Sequence, residues 1–241
     1  MTVIGFDGDD TLWQSEMHFE ATTDRFADLL APWVPDTAAA RQRLIDVERR
    51  NLELLGYGVK AFALSMIETA IEVSGSRVPA SAIHEIVGWA KELMRHPVEL
   101  LADVEEVVAA LAARHTLLLV TKGDLLHQES KVAGSGLAEH FDGIHIVSEK
   151  DEATYRQVLA AHDVAPGDFV MVGNSLRSDI LPVLGIGGRA VHVPHELLWD
   201  IEHVDPGLVP EGLPRIDRLG GLPPVLEAMS TTVGPPGADG P

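Results

Sequence analysis

The chain has 241 residues, 46% of them hydrophobic, a formal charge of −19 and no cysteine. That is enough apolar material for one large domain or a domain with an inserted subdomain. An acidic balance without a basic block argues against a nucleic-acid partner, whose affinity rests on phosphate neutralisation by Lys and Arg; the lack of cysteine excludes disulfides and thiolate metal sites.

No stretch reaches the roughly 18 apolar residues of a membrane span. The N-terminus enters a strand-like run directly, with no signal-peptide pattern. A soluble cytoplasmic protein without a membrane partner is expected, with monomer and homodimer both open.

The first element is an apolar run, Thr2–Phe6, followed at once by "FDGDDTL" (Phe6–Leu12), which sets Asp7, Asp9 and Asp10 within four positions. Like charges this close repel, so stability alone does not account for them. From Leu12 to about Thr116 no strand is evident. Amphipathic patterns occupy Glu16–Leu30, Ala38–Leu55, Ala61–Ser74, Ala80–Arg95 and Val104–Arg114, separated by "PWVPD", "GYG" and "SGSRVP". A single crossover helix cannot use so many residues. A helical insertion over 15–95 is therefore expected, with Val104–Arg114 as the crossover.

Apolar, non-alternating runs then recur at Thr116–Val120, Ile144–Val147, Phe169–Val172 and Ala190–Val193, the character of parallel strands buried on both faces. Helical stretches at Leu125–Ala133, Glu152–Ala161 and Ser178–Leu184 lie between them. The alternation predicts an α/β, doubly wound parallel sheet, core residues 1–14 and 96–229. Ile216 marks a short edge strand, Pro223–Met229 a last helix, and the Gly- and Pro-rich 230–241 a disordered tail.

Ligands of open α/β sheets bind beyond the carboxyl ends of the strands. The residues there are Asp7, Asp9, Asp10 and Thr11; Thr121, Lys122, Gly123 and Asp124; Glu149, Lys150 and Asp151; and Asn174, Ser175 and Asp179. Carboxylates with one hydroxyl and one lysine suit a hard cation beside an anion. "PHELLW" (Pro194–Trp199) shares this edge, where His195 and Trp199 either close over the site or belong to a loop packed on the core. Trp13 lies where the chain leaves the site and could wall a pocket. Lys131, mid-helix, reads as a solvated charge, and Asp10 as a surface or helix-capping carboxylate.

These motifs resemble those of the haloacid dehalogenase-like (HAD) hydrolases. "FDGDDTL" is similar to their Asp-x-Asp-x-Thr motif, Thr121 to the hydroxyl ending the second strand, Lys150 to the lysine opening a later helix, and "VGNSLRSDI" (Val172–Ile180) to the final acidic motif. The insertion falls at the family's cap position.

The resemblance implies a Mg²⁺-dependent phosphatase acting on a small phosphorylated metabolite. Asp7 would be the nucleophile and Asp9 the general acid/base, favoured by a raised pKa. Asp7, Asp9 (through its backbone carbonyl), Asn174 and Asp179 would hold the metal. Thr121, Lys122, Gly123 and Lys150 would hold phosphate. Two positions depart from the family: Asp10 stands where Gly is usual, and Asn174 where Asp is usual, which implies weaker Mg²⁺ binding. Phosphotransfer to a second substrate, carbon–halogen hydrolysis and an inactive binding protein are the alternatives; Asp9 and Asp179 argue against the halogen chemistry.

Overall fold

A computed structural model describes residues 2–231. Strand β1 (Val3–Phe6) is followed by helices α1 (Glu16–Leu30), α2 (Thr37–Leu55), α3 (Val59–Ser74) and α4 (Ala80–Arg95), then α5 (Val104–Ala112). From there β2 (Thr116–Lys122), α6 (Leu125–Ser135), β3 (Gly143–Val147), α7 (Glu152–Ala161), β4 (Phe169–Gly173), α8 (Leu181–Gly185) and β5 (Arg189–His192) alternate, and α9 (Leu222–Thr231) closes the described chain.

The five strands form one parallel sheet in the order β3-β2-β1-β4-β5. β1 pairs with β2 on one side and β4 on the other, with Phe6 opposite Leu119 and Val172. Successive residues of the central strands feed opposite faces. Ile4, Phe6, Leu117, Leu119 and Val170 pack against α5 and α9. Val3, Leu118, Val120, Phe169 and Met171 pack against Tyr155, Val158 and Leu159 of α7. Both faces are thus apolar, which is why these strands read as continuous runs. Gly5 is required in β1, because a Cβ there would stand 2.4 Å from the Phe169 ring.

β3 departs from the expectation of burial on both faces. It is an edge strand, and Ile144 is 41% exposed. Ile216 adds no full strand: its amide donates to the His192 carbonyl beside a single bridge between His192 and Arg215. The expected helix Ser178–Leu184 is a π-turn over Leu176–Ile180 running into α8. Pro182 has no N–H to give the Ser178 carbonyl, and that carbonyl accepts the Tyr155 hydroxyl at 3.0 Å instead. Ser230, where a disordered tail was expected to begin, and Thr231 belong to α9; the rest of that expected tail, residues 232–241, lies outside those described.

Helices α1–α4 bury their own apolar cluster, including Phe26, Leu30, Leu44, Phe62, Met66, Ile86 and Trp89. Asp36 caps α2 by accepting the Ala39 amide at 2.8 Å, a cap worth ~1 kcal/mol, and Gly75 ends α3 in the left-handed conformation at φ 59°. The chain enters and leaves this unit through two adjacent segments. Gln14 donates to the Glu99 carbonyl and Leu101 to the Leu12 carbonyl, both at 2.9 Å.

Candidate active site

The turn after β1 is built around Gly8, whose carbonyl accepts the Leu12 amide at 2.8 Å. A Cβ at Gly8 would meet Trp13 at 2.6 Å and the Thr121 hydroxyl at 3.3 Å, so only glycine lets the turn close over these groups. The turn brings Asp7 to the sheet edge, buried, with its amide on the Val172 carbonyl at 2.9 Å.

Lys150, just before α7, is 3% exposed. Its ammonium contacts Asp7 Oδ1 and sits 2.7 Å from Asp179 Oδ1. Asp179 Oδ2 accepts the Ser175 amide at 2.9 Å. A Cβ at Gly173 would lie 2.3 Å from that carboxylate, so glycine at the end of β4 admits it. One ammonium thus serves two buried carboxylates. Burial, then repulsion from Asp179, pushes Asp7 up to about 7 against the pull of Lys150. Thr11 Oγ1 donates to Asp7 Oδ2 at 3.2 Å and accepts the Asn174 amide at 3.1 Å, tying the first and fourth strand ends together. Thr121 Oγ1 is buried and has no hydrogen-bond partner among the described residues.

Asp9 carries the clearest correction. Both its oxygens are taken: Oδ1 by the Trp13 indole at 2.6 Å and Lys131 at 2.7 Å, Oδ2 by Gln128 at 2.7 Å. Burial alone would raise its pKa, but the Lys131 charge and these hydrogen bonds outweigh burial and hold Asp9 below the ordinary carboxylate range. The expected raised value is therefore reversed. Lys131 is not a solvated charge: its side chain is 11% exposed and it also reaches Ser15 at 3.2 Å. Trp13 belongs to the core, with only its N–H turned to the site. Gln128 and Lys131 stand three apart on a helix that starts at the second strand's functional end, a spacing that puts them on one face but does not say which acid they meet.

Asp10 is buried, not on the surface. Its carboxylate accepts the amides of Ser15 and Glu16 at 2.9–3.1 Å and so caps the start of α1. It occupies φ 58°, a left-handed conformation that suits glycine. Burial, then the Asp9 charge, pushes it up to about 6. His195 stands 3.8 Å from it.

Lys122, expected to meet phosphate, is otherwise engaged. It donates to Glu202 at 2.5 Å and to Ser178 at 2.8 Å, and lies 3.9 Å over the Tyr57 ring. Glu202 also accepts the Ser175 and Ser178 hydroxyls. No local pattern in the sequence marks Glu202, which lies in an irregular loop far along the chain from Lys122. Gly123, at φ 141°, leaves room for the Gln128 side chain, which a Cβ would approach to 2.9 Å.

These groups open into a cavity of about 290 Å³ whose opposite wall is formed by α1, α2, the loop before α3 and the start of α3. The helical unit meets the core around it. Tyr57 donates to Glu149 at 2.6 Å, Lys60 pairs with Asp124 at 2.8 Å, and Trp199 packs edge-on to Tyr57 at 5.8 Å. Trp199 therefore lines the cavity, and its loop is not merely packed on the core.

Among the described residues, no three His, Asp or Glu side chains are grouped to hold a metal. The carboxylates of Asp7 and Asp179 nonetheless converge on one buried ammonium, and together with neighbouring backbone and amide oxygens they would offer the hard-oxygen donors Mg²⁺ takes, so the residues present fit that ion.

A family model describing haloacid dehalogenase-like hydrolases matches residues 1–186. The chain belongs to this family. It is 42% identical to a haloacid dehalogenase-like family hydrolase from Xanthomonas campestris, over 96% of this chain and 93% of that one, with a TM-score of 0.85. It shares its fold with the L-2-haloacid dehalogenase of Xanthobacter autotrophicus at 16% identity (95% and 99% of the two chains; TM-score 0.61). Among curated relatives it is 31% identical to a phosphoserine phosphatase of Thermus thermophilus, over 66% of this chain and 65% of that protein. With N-acylneuraminate-9-phosphatase of Mus musculus it shares 33% identity, over 42% of this chain and 43% of that protein. The match thus spans just under two thirds of the first relative and less than half of the second.

Proposed function

We propose that this chain hydrolyses a small phosphate monoester through an aspartyl-phosphate on Asp7. The observation that carries the reading is the buried Lys150 ammonium held between Asp7 and Asp179, with the unpartnered Thr121 hydroxyl on the same cavity wall. A buried donor without a partner is costly, and a phosphoryl oxygen would satisfy it.

Asp7, the Asp9 carbonyl, Asn174 and Asp179 would hold Mg²⁺, which when bound supplies charge neutralisation for the acids and the phosphate. The Asp7 carboxylate attacks phosphorus, while Thr121, the Gly123 amide and Lys150 hold the phosphoryl oxygens. Lys122, anchored by Glu202, shapes the wall. Asp9 protonates the leaving oxygen and then accepts a proton from the water that hydrolyses the aspartyl-phosphate. Lys131 keeps Asp9 ionised in the free protein, ready as the base of the second step. For the first step, the approaching phosphate anion raises its proton affinity, as any nearby like charge does, so Asp9 takes up a proton from solvent as the substrate binds and passes that proton to the leaving oxygen. Displacement of halide needs no such proton donor, and the three donors that orient Asp9 therefore favour the phosphate ester.

Residues 15–95 act as a cap. The paired segments 12–14 and 99–101 are its hinge, and the Tyr57–Glu149 and Lys60–Asp124 contacts its latch, so closure excludes water during transfer. The test is turnover of an aryl phosphate. It is expected to require Mg²⁺, to stop with EDTA, and to vanish in a folded Asp7→Asn variant. Metal-independent turnover, or an active Asp7→Asn, would overturn the reading.

A further inference from the structure

The charges on the cavity wall are not balanced. Its basic side chains are Arg41, Lys122, Lys131 and Lys150, and each is already paired: Arg41 with Glu20 and Asp24, Lys122 with Glu202, Lys131 with Asp9, Lys150 with Asp7 and Asp179. Two acids on the helical side have no such partner. Glu16 of α1 is half-buried and has no hydrogen bond or ion pair to its carboxylate among those described, and Glu48 of α2 accepts only the Trp199 indole. The two feel each other's charge across the cavity.

Burial, then Asp10, pushes Glu16 up to about 8, and burial pushes Glu48 up to about 7. Burial leads in both, so near pH 7 the free protein keeps protons on these acids for want of a cation beside them, and an ammonium seated there would draw them into the charged form. The same cavity holds the orphaned Thr121 hydroxyl, so one end is built for an anion and the other for a cation. Phe19, Leu44 and Phe62 supply apolar wall between α1, α2 and α3.

Resting on the phosphatase reading, we infer that the leaving group carries an ammonium, seated between Glu16 and Glu48 on the cap side of the cavity. An alkyl stem would lie along the apolar wall. Esters ending in a carboxylate are rejected, because a second anion would face unpaired acids.

The inference is tested with alkyl phosphates of two to five carbons bearing a terminal ammonium, hydroxyl or carboxylate. Turnover is assayed with Mg²⁺, and binding to Asp7→Asn is measured by calorimetry. At the best chain length the ammonium ester is expected to exceed the hydroxyl ester by about tenfold in kcat/KM and in affinity, and the carboxylate ester by about a hundredfold. Glu16→Gln and Glu48→Gln should each shrink the ammonium-to-hydroxyl ratio by about fivefold or more.

A hydroxyl or carboxylate ester equal to or better than the ammonium ester, or a ratio unmoved in both variants, overturns the inference. If an aryl phosphate is turned over without any ammonium preference, this inference falls and the phosphatase reading stands. If no ester is turned over, the phosphatase reading falls, and the calorimetric preference alone decides the charge of the ligand.

Discussion

Thr121→Val should make the protein more stable and less active. Thr121 is 1% exposed and its hydroxyl has no partner among the described residues. Thr121 lines the cavity, and its hydroxyl would stand 3.3 Å from a Cβ placed on Gly8. Leaving such a group buried costs about 1–3 kcal/mol. Valine has the same shape, so no cavity and no overpacking follow, and about 1–2 kcal/mol of that cost should be recovered. For a chain of this length that corresponds to a rise in Tm of about 2–8 °C. In the same variant kcat/KM should fall by about 10²-fold, as when one donor to a developing oxyanion is removed. Calorimetric unfolding in EDTA without phosphate reads the first effect, and aryl phosphate turnover the second. Inorganic phosphate with Mg²⁺ should raise the Tm of the wild type more than that of the variant. A destabilised Thr121→Val would show that the hydroxyl is bonded in the folded protein. A stabilised variant with full activity would remove Thr121 from the site.

Three further perturbations probe the acids. Between pH 6.5 and 8.5 the metal-free protein should lose stability. Asp7, Glu16 and Glu48 have folded pKa values raised to about 7, about 8 and about 7, so the folded state binds more protons than the unfolded one and stability falls as pH rises. A Tm that rises across that window in EDTA would contradict this electrostatic picture. Asp10→Gly and Asp10→Ala both lose the cap on α1, at about 1 kcal/mol. Only alanine retains the strain at φ 58°, so it should be about 1 kcal/mol less stable than the glycine variant in denaturant; equal stabilities would refute the backbone argument, and both should keep turnover within severalfold. Lys131→Met removes the charge that holds Asp9 down, so the ascending limb of kcat/KM against pH should move upward; an unmoved profile would show that Lys131 does not tune Asp9.

Much of the architecture was legible in the chain. Buried parallel strands must be apolar on both faces, so β1, β2, β4 and β5 stood out as runs, and four turn-punctuated amphipathic stretches announced helices α1–α4. The strand ends then nominated Asp7, Thr121, Lys150 and Asp179, because side chains that follow parallel strands in one sheet share one edge whatever else the fold does. Pairing was not legible. Whether Lys122 faces an anion or Glu202, whether Lys131 is solvated or clamps Asp9, and whether Asp10 lies on the surface or caps α1 depend on which side chains the tertiary packing brings within 3 Å. Sequence separation carries no information about that: Lys131 and Asp9 are 122 residues apart, and Lys122 and Glu202 are 80 apart. The direction of the Asp9 shift turned on the same point, since burial raises a carboxylate and a neighbouring ammonium lowers it, and only the folded chain determines which is closer. Residue type and period along the chain set the layers and the edge where the groups gather. The contacts among those groups, and the unpaired Glu16 and Glu48 facing them, exist only once the helical unit is folded over the sheet.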